Sequence, residues 1–172
     1  MTDINKSKTI FKFAILTISD SGHAGERISD VSGDTISEIC TKKGLVEVFR
    51  EIVPDEAMEI SDTLIKWSTS QKVNVIFTTG GTGISPRDIT PEATKSVIDI
   101  EIPGITEFMR IKTSKNTPTS ILSRSIAGIR DNCLIINLPG SPKGVQECLE
   151  IIFPILNHTF EMIKGWKTHK EV

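Results

Sequence analysis

Tyrosine is absent, aromatic residues make up 5 % of the 172 positions, and the charges nearly cancel, with 20 Lys and Arg against 22 Asp and Glu. Without a positive field or a set of stacking rings, the chain offers no platform for nucleic acid and no pull toward an anionic membrane surface. Any anion bound here must be held locally. Cysteine is equally sparse. Cys40, Cys133 and Cys148 are odd in number, far apart and free of CxxC spacing, which excludes a disulfide framework, makes them core residues and fits a reducing, cytoplasmic setting. His23, His158 and His169 lack the spacing of zinc ligands. No stretch approaches the ~18 consecutive apolar residues of a membrane span. The opening MTDINKSK has no apolar centre of the kind a signal peptide requires.

What the chain does have is Ile, Leu and Val in short runs spread along its length, enough for one domain (1–172, core about 10–164) that buries roughly 70 % of its unfolded surface. The runs Phe11–Ile18, Val46–Val53, Val73–Thr79 and Cys133–Leu138 read as buried strands. Between them, Ile36, Ile39 and Cys40 suit one helix face, and Ile60, Leu64 and Trp67 another. Thr90-Pro91-Glu92 reads as a helix start with Thr90 as cap. From Pro103 to Arg130 the pattern is weaker: Ile105, Phe108 and Met109 suggest a helical turn, and Ile121 to Ile126 a second. The closing helix carries Val145, Cys148, Leu149, Ile152, Ile155, Leu156 and Phe160, kinked or restarted at Pro154. Strands that are apolar throughout, alternating with helices, predict an α/β fold: a three-layer α/β/α sandwich around a mainly parallel central sheet. Chemistry then belongs in the loops after Thr17, Val53, Thr79 and Leu138, at the carboxyl edge of the sheet.

Those loops hold the informative residues. Gly80-Gly81-Thr82-Gly83 follows a strand directly, and three glycines in four positions let backbone N–H groups approach an anion closely. A bare glycine cluster can equally be a tight turn, but Arg87 and Asp88 follow at once, and a plain turn needs neither. The stretch is not GxxxxGK[ST], and no GxGxxG occurs, so ordinary P-loop and dinucleotide readings lose support. Asp55 and Asp88 follow different strands, so a parallel sheet can bring them to one edge, where two carboxylates could share Mg²⁺ with substrate phosphates. Alternatively, Asp55 caps the next helix and Asp88 pairs with a surface cation. Asp20, Asp30 and Ser32 have the same two readings, site edge or N-cap cluster. Pro139-Gly140-Ser141-Pro142-Lys143 joins a strand to a helix and could hold a second anion at the helix N-terminus, or simply reverse the chain. Ser123-Arg124 is a polar handle for a ligand or a plain surface step. No Ser/His/Asp triad or GxSxG elbow occurs, and Trp67 and Trp166 suit packing.

The block from Thr78 to Thr94 (TTGGTGISPRDITPEAT) resembles the signature of the MogA/MoaB-type molybdenum-cofactor biosynthesis proteins. Four further blocks agree in order and spacing: Thr17–Asp20 with Asp30–Gly33, Val53–Glu56, Leu122–Arg124 with Gly128–Arg130, and Ile135–Gly144. The resemblance covers about residues 10–164 and is closest to the molybdopterin adenylyltransferases and the gephyrin G domain. It implies the MogA/MoaB fold and Mg²⁺-dependent transfer of AMP from ATP to the terminal phosphate of molybdopterin, with release of pyrophosphate. It further implies a homotrimer whose product passes to a molybdenum insertase. On the family's pattern the two acids, catalytic and Mg²⁺-binding, fall at Asp55 and Asp88. Substrate and nucleotide contacts fall at Ser19, Asp20, Thr79, Gly80, Gly81, Thr82, Gly83, Arg87, Ser123, Arg124, Pro139, Gly140, Ser141 and Lys143, with Ser123 on the pterin side. MoaB-type members often lack the Arg-Asp pair that stands here at Arg87-Asp88, which favours the adenylyltransferase branch. The loop Gly22–Ile28 has no counterpart in the pattern. Two alternatives follow from the same resemblance: a non-catalytic trimeric scaffold of the gephyrin G-domain type, or a pterin-binding protein without ATP chemistry. Against scaffold duty, the sequence carries no linker and no second, molybdenum-inserting domain.

Overall fold

A computed structural model describes residues 10–26 and 29–165. In it, β1 (Lys12–Ile18), β2 (Val46–Val53), β3 (Val75–Thr79), β4 (Ile100–Glu101), β5 (Ala127–Arg130) and β6 (Cys133–Leu138) form one sheet in the order β2-β1-β3-β6-β5-β4. The first four in that order are parallel, and β5 and β4 extend the sheet as an antiparallel edge. The helices are α1 (Asp20–His23), α2 (Val31–Lys42), α3 (Ala57–Thr69), α4 (Thr90–Val97), α5 (Pro103–Thr113) and α6 (Pro142–Ile163), with a 3₁₀ turn at Pro118–Leu122.

The continuous apolar strands are explained by a sheet covered on both faces. Along β1, Phe13 and Ile15 enter one layer with Phe77, Leu134, Ile136 and the buried faces of α2, α5 and α6. Ala14, Leu16 and Ile18 point the other way, to Ile76, Ile135 and the buried faces of α3 and α4. Each large apolar side chain buried this fully contributes about 1.5–3 kcal/mol. The predicted three-layer, mainly parallel architecture is therefore the one observed. Trp67 packs as expected, its ring stacked on Phe49 at 5.6 Å, and all three cysteines are buried. Burial pushes their thiols up to about 12, so they are unreactive fillers.

Several local expectations are corrected. The loop after β1 contains the short helix α1, capped by Ser19, whose hydroxyl accepts from Gly22 N. Thr90 is the first residue of α4, and the cap position is Ile89; the Thr90 hydroxyl donates to Gly80 O at 2.9 Å instead. Phe108 is exposed, while Ile105 and Met109 are buried. The second helical turn expected over Ile121–Ile126 is displaced: the 3₁₀ helix Pro118–Leu122 covers only its first two residues, and 123–126 lead without helix into β5. β4 and β5 are too short, at 2 and 4 residues, to give a periodic signal. α6 passes through Pro154 without restarting. Trp166 and His169, and Arg27 and Ile28 in the loop after α1, lie outside the described residues.

β1 lies between the edge strand β2 and β3. The chain moves outward from β1 to β2 and then crosses back to β3, so the loops after β1 and β3 diverge. This is the switch point at which open α/β sheets leave a crevice.

Candidate active site

A cleft of about 610 Å³ opens at that switch point, within the size range of small-molecule sites. Its walls include Ser19 from the loop after β1, Asp30 and Ser32 at the start of α2, Asp55 after β2, and Thr79, Gly80, Gly81 and Asp88 after β3, with Gly140 from the turn after β6. The sheet thus brings together residues as far apart in sequence as Ser19 and Gly140, and both carboxylates singled out by placement are among them. Asp55 is not a helix cap: Glu56 holds that position, without a side-chain bond to the helix. Asp30 does cap α2, accepting from Gly33 N at 2.9 Å, and it also accepts from the Thr17 hydroxyl.

The glycine turn is shaped by its neighbours. Gly80 (φ 99°) and Gly81 (φ 62°) both lie in the left-handed region, and a Cβ on Gly80 would stand 2.2 Å from Ile18 O. Only glycine fits there. The turn is fastened to the second one by Thr79 Oγ1, which donates to Pro139 O (2.8 Å), and α2 holds the second turn through Ser32 Oγ, which donates to Gly140 O (2.7 Å). Gly140 lies close enough to Gly80 that a Cβ on it would be 3.4 Å from Gly80 Cα.

The charged rim is ordered by reciprocal bonds. Asp20 N donates to Asp55 Oδ2 (3.0 Å), and Asp55 N donates to Asp20 Oδ1 (2.9 Å). Arg87 grips both oxygens of Asp20 and also Glu56 Oε1 at 3.0 Å. The Arg87 guanidinium, with help from the Asp55 amide, holds the Asp20 carboxyl below its ordinary value. Asp55 is shifted the other way. Burial is the main cause, and the carboxylates of Asp20 and Asp88 add repulsion. Asp88 turns back on its own loop, accepting from Ser85 N at 2.8 Å. Arg124 donates to Gly83 O and Asp88 O and pairs with Glu92.

A second pocket of about 160 Å³ lies between α5, the 3₁₀ turn and the start of α6. It gathers Ser123, Ser125, Pro139, Ser141 and Lys143 over a floor that includes Met109 and Cys148. The predicted residues therefore divide three ways. Ser19, Asp55, Thr79, Gly80, Gly81, Asp88 and Gly140 line the cleft, while Ser123, Pro139, Ser141 and Lys143 line the pocket. Asp20, Thr82, Gly83, Arg87 and Arg124 brace the segments around them. Sequence reasoning missed Thr90, Glu56 and Arg110. The last lines the pocket, and its Nη1 donates to Ser123 O (3.3 Å) and Ser125 O (3.2 Å). Arg110 sits on α5 with no motif around it, so nothing in the sequence pointed to it.

Chemically, the cleft offers hard oxygen donors and a left-handed glycine turn of the kind that exposes backbone N–H groups to anions. Among the described residues no three His, Cys, Asp or Glu side chains are grouped as a metal cage.

Known proteins resemble this chain in sequence and fold. Residues 14–158 match the family described as a probable molybdopterin binding domain. A protein of Helicobacter pylori named molybdopterin adenylyltransferase is 45 % identical over 153 residues, covering 88 % of this chain and 86 % of that one. The Drosophila melanogaster molybdenum cofactor synthesis protein cinnamon is 40 % identical over 166 residues, 93 % of this chain but 28 % of that much longer protein. Among solved structures, the molybdopterin biosynthesis enzyme MoaB of Thermus thermophilus superposes with a TM-score of 0.85 at 43 % identity, covering 91 % of this chain and 98 % of that one.

Proposed function

The chain belongs to the probable molybdopterin binding domain family, and we propose that it is a molybdopterin adenylyltransferase. In the reaction, a terminal phosphate oxygen of molybdopterin attacks the α-phosphorus of ATP. A P–O bond forms there, the bond to the bridging oxygen of the β-phosphate breaks, and pyrophosphate leaves. The observation that carries this reading is the convergence of Asp55 and Asp88 on one cleft beside the Gly80–Gly83 turn, with a second pocket across the Pro139–Lys143 turn.

The attacking phosphate is already an anion, so no strong general base is required; positioning and charge neutralisation carry the rate. Asp55 and Asp88 fit Mg²⁺: two hard carboxylates, one of them raised by burial and by its acidic neighbours, have unmet demand for a cation. When bound, the ion would neutralise phosphate charge. Gly80 to Gly83 would cradle the phosphates through backbone N–H groups, Ser19, Asp20 and Arg87 would edge the nucleotide, and Thr79 would fix the turn. Ser123, Ser141 and Lys143 would receive the pterin. The pocket's hydroxyl walls and apolar floor suit a flat polar heterocycle.

The same reading includes a homotrimer, a cytoplasmic setting and hand-over to a molybdenum insertase. Self-association is supported by exposed Phe108, Ile111, Ile121 and Leu122 on α5 and the adjoining 3₁₀ turn, and light scattering would give the mass. Among the described residues no helix is long and apolar enough to cross a membrane. The deciding assay is pyrophosphate release from Mg-ATP and molybdopterin. Release by the native protein, with Asp88→Ala reduced about 100-fold or more, is the expected result. Absence of release, or full turnover by Asp88→Ala, would remove the proposal.

A further inference from the structure

Residues 123–125 form a short extended strap between the two pockets. Ser123 has φ −66° and ψ 128°, and in extended chain alternate side chains point to opposite sides. The side-chain contacts agree. The hydroxyls of Ser123 and Ser125 lie 2.8 Å apart and both residues line the second pocket, whereas Arg124 reaches the other way. On the pocket side, Arg110 fastens the strap through the carbonyls of Ser123 and Ser125. On the cleft side, Arg124 N donates to Thr82 O at 2.9 Å, and its guanidinium engages Gly83 O, Asp88 O and Glu92.

Three separate nitrogens of the Arg124 fork are thus satisfied by protein acceptors. Two of those acceptors are carbonyls of the glycine turn and of Asp88 itself. We propose that Arg124 is a positioning residue, not a substrate ligand: it sets the Asp88 carboxylate and the Gly80–Gly83 turn in register with the pocket that Ser123 and Ser125 line. The inference rests on the adenylyltransferase reading for Mg-nucleotide binding and for its kinetic readouts. A planar fork that serves three acceptors in fixed directions cannot be replaced by the single point charge of lysine.

The test uses the full chain and the variants Arg124→Met, Arg124→Lys and Glu92→Gln. The first readout is calorimetric binding of a non-reactive ATP analogue as a function of Mg²⁺, without molybdopterin. The second is the split between kcat and the KM for molybdopterin. A misplaced carboxylate should raise the Mg²⁺ needed for half-maximal nucleotide binding about tenfold in Arg124→Met and lower kcat about 100-fold, since small misplacements cost that much. The KM for molybdopterin should stay within about twofold. Arg124→Lys should recover little, and Glu92→Gln, which keeps both carbonyl contacts, should shift the Mg²⁺ requirement about two- to threefold. Three results would overturn the proposal: an unchanged Mg²⁺ requirement in Arg124→Met, full rescue by Arg124→Lys, or a raised KM with kcat preserved. Should Arg124→Met not fold, native Mg²⁺ dependence in both remaining variants would overturn it as well. If the native protein binds Mg-nucleotide but releases no pyrophosphate, the adenylyltransferase reading fails, while the Mg²⁺ titration still decides the role of Arg124.

Discussion

The two turns that meet across the site are made differently. Gly80–Gly83 depends on backbone that other residues cannot adopt, since Gly80 and Gly81 have positive φ and a Cβ at Gly80 would strike Ile18 O. Pro139–Lys143 is an ordinary entry into a long helix, with Ser141 capping α6 through Gly144 N and Pro142 in the first turn. The first turn is held in shape from outside, by Thr90 and Arg124. The second is capped by its own helix and tied down at two carbonyls, by Thr79 at Pro139 O and Ser32 at Gly140 O, and its cation Lys143 stands 4.0 Å from Glu147 within the same helix. A strained turn places groups closely but tolerates no change, whereas a helix start is robust and interchangeable.

The sharpest way to break this comparison is a matched pair of glycine substitutions. Gly80→Ala should cost roughly 2–5 kcal/mol, combining the left-handed penalty with a backbone clash. Gly140→Ala, whose Cβ would make only ordinary contact, should stay within about 1 kcal/mol. Urea denaturation of the two variants decides it. Equal losses would mean that the turns do not differ as described.

Asp55→Asn separates function from stability in the first turn. Activity should fall about 100-fold or more, yet the metal-free protein should unfold at the same or a higher temperature. The folded state raises the Asp55 carboxyl above its ordinary value of 3.8, chiefly through burial. Such a group favours folding below its unfolded value and loses that contribution as pH rises through the folded one. At neutral pH its charge is therefore a burden that asparagine removes, and the amide oxygen can still accept from Asp20 N. A clear drop in melting temperature would show instead that the carboxylate holds the site together. In the second turn the order reverses: Ser141→Ala removes a helix cap and should cost about 1 kcal/mol, visible as a lower denaturation midpoint.

The contrast also explains what could be read from sequence. Runs such as Val75–Thr79 and Cys133–Leu138 are buried on both faces, so apolar continuity announced a covered parallel sheet. The glycine turn was legible because strain restricts composition, and Asp55 and Asp88 because each follows a strand that must end at the same edge. β4 and β5 escaped because 2 and 4 residues carry no period. Arg110 escaped, and Arg124 was legible as a site residue but not as a brace, because an arginine donating to backbone carbonyls leaves no mark on the identity of its partners.

The smallest expected effect concerns the ion pairs that tie the first turn to the loop after β1, for which the second turn has only the wider Lys143–Glu147 contact. Arg87 holds Asp20 and Glu56 at the surface, its side chain 55 % exposed, so solvent and salt screen the interaction. The Arg87 guanidinium, followed by the Asp55 amide, keeps the Asp20 carboxyl below its ordinary value of 3.8. A lowered carboxyl contributes stability that is present above the unfolded value and is lost as pH falls through the folded one. Arg87→Gln should therefore lower the melting temperature slightly at neutral pH, and the gap should close as the solution is acidified below 3.8 or as salt is raised to about 1 M. NMR titration of Asp20 in the variant should move toward the ordinary value. A gap that persists in acid and in high salt would mean that Arg87 packs against the turn instead of neutralising it. The first turn would then be held without help from these surface charges.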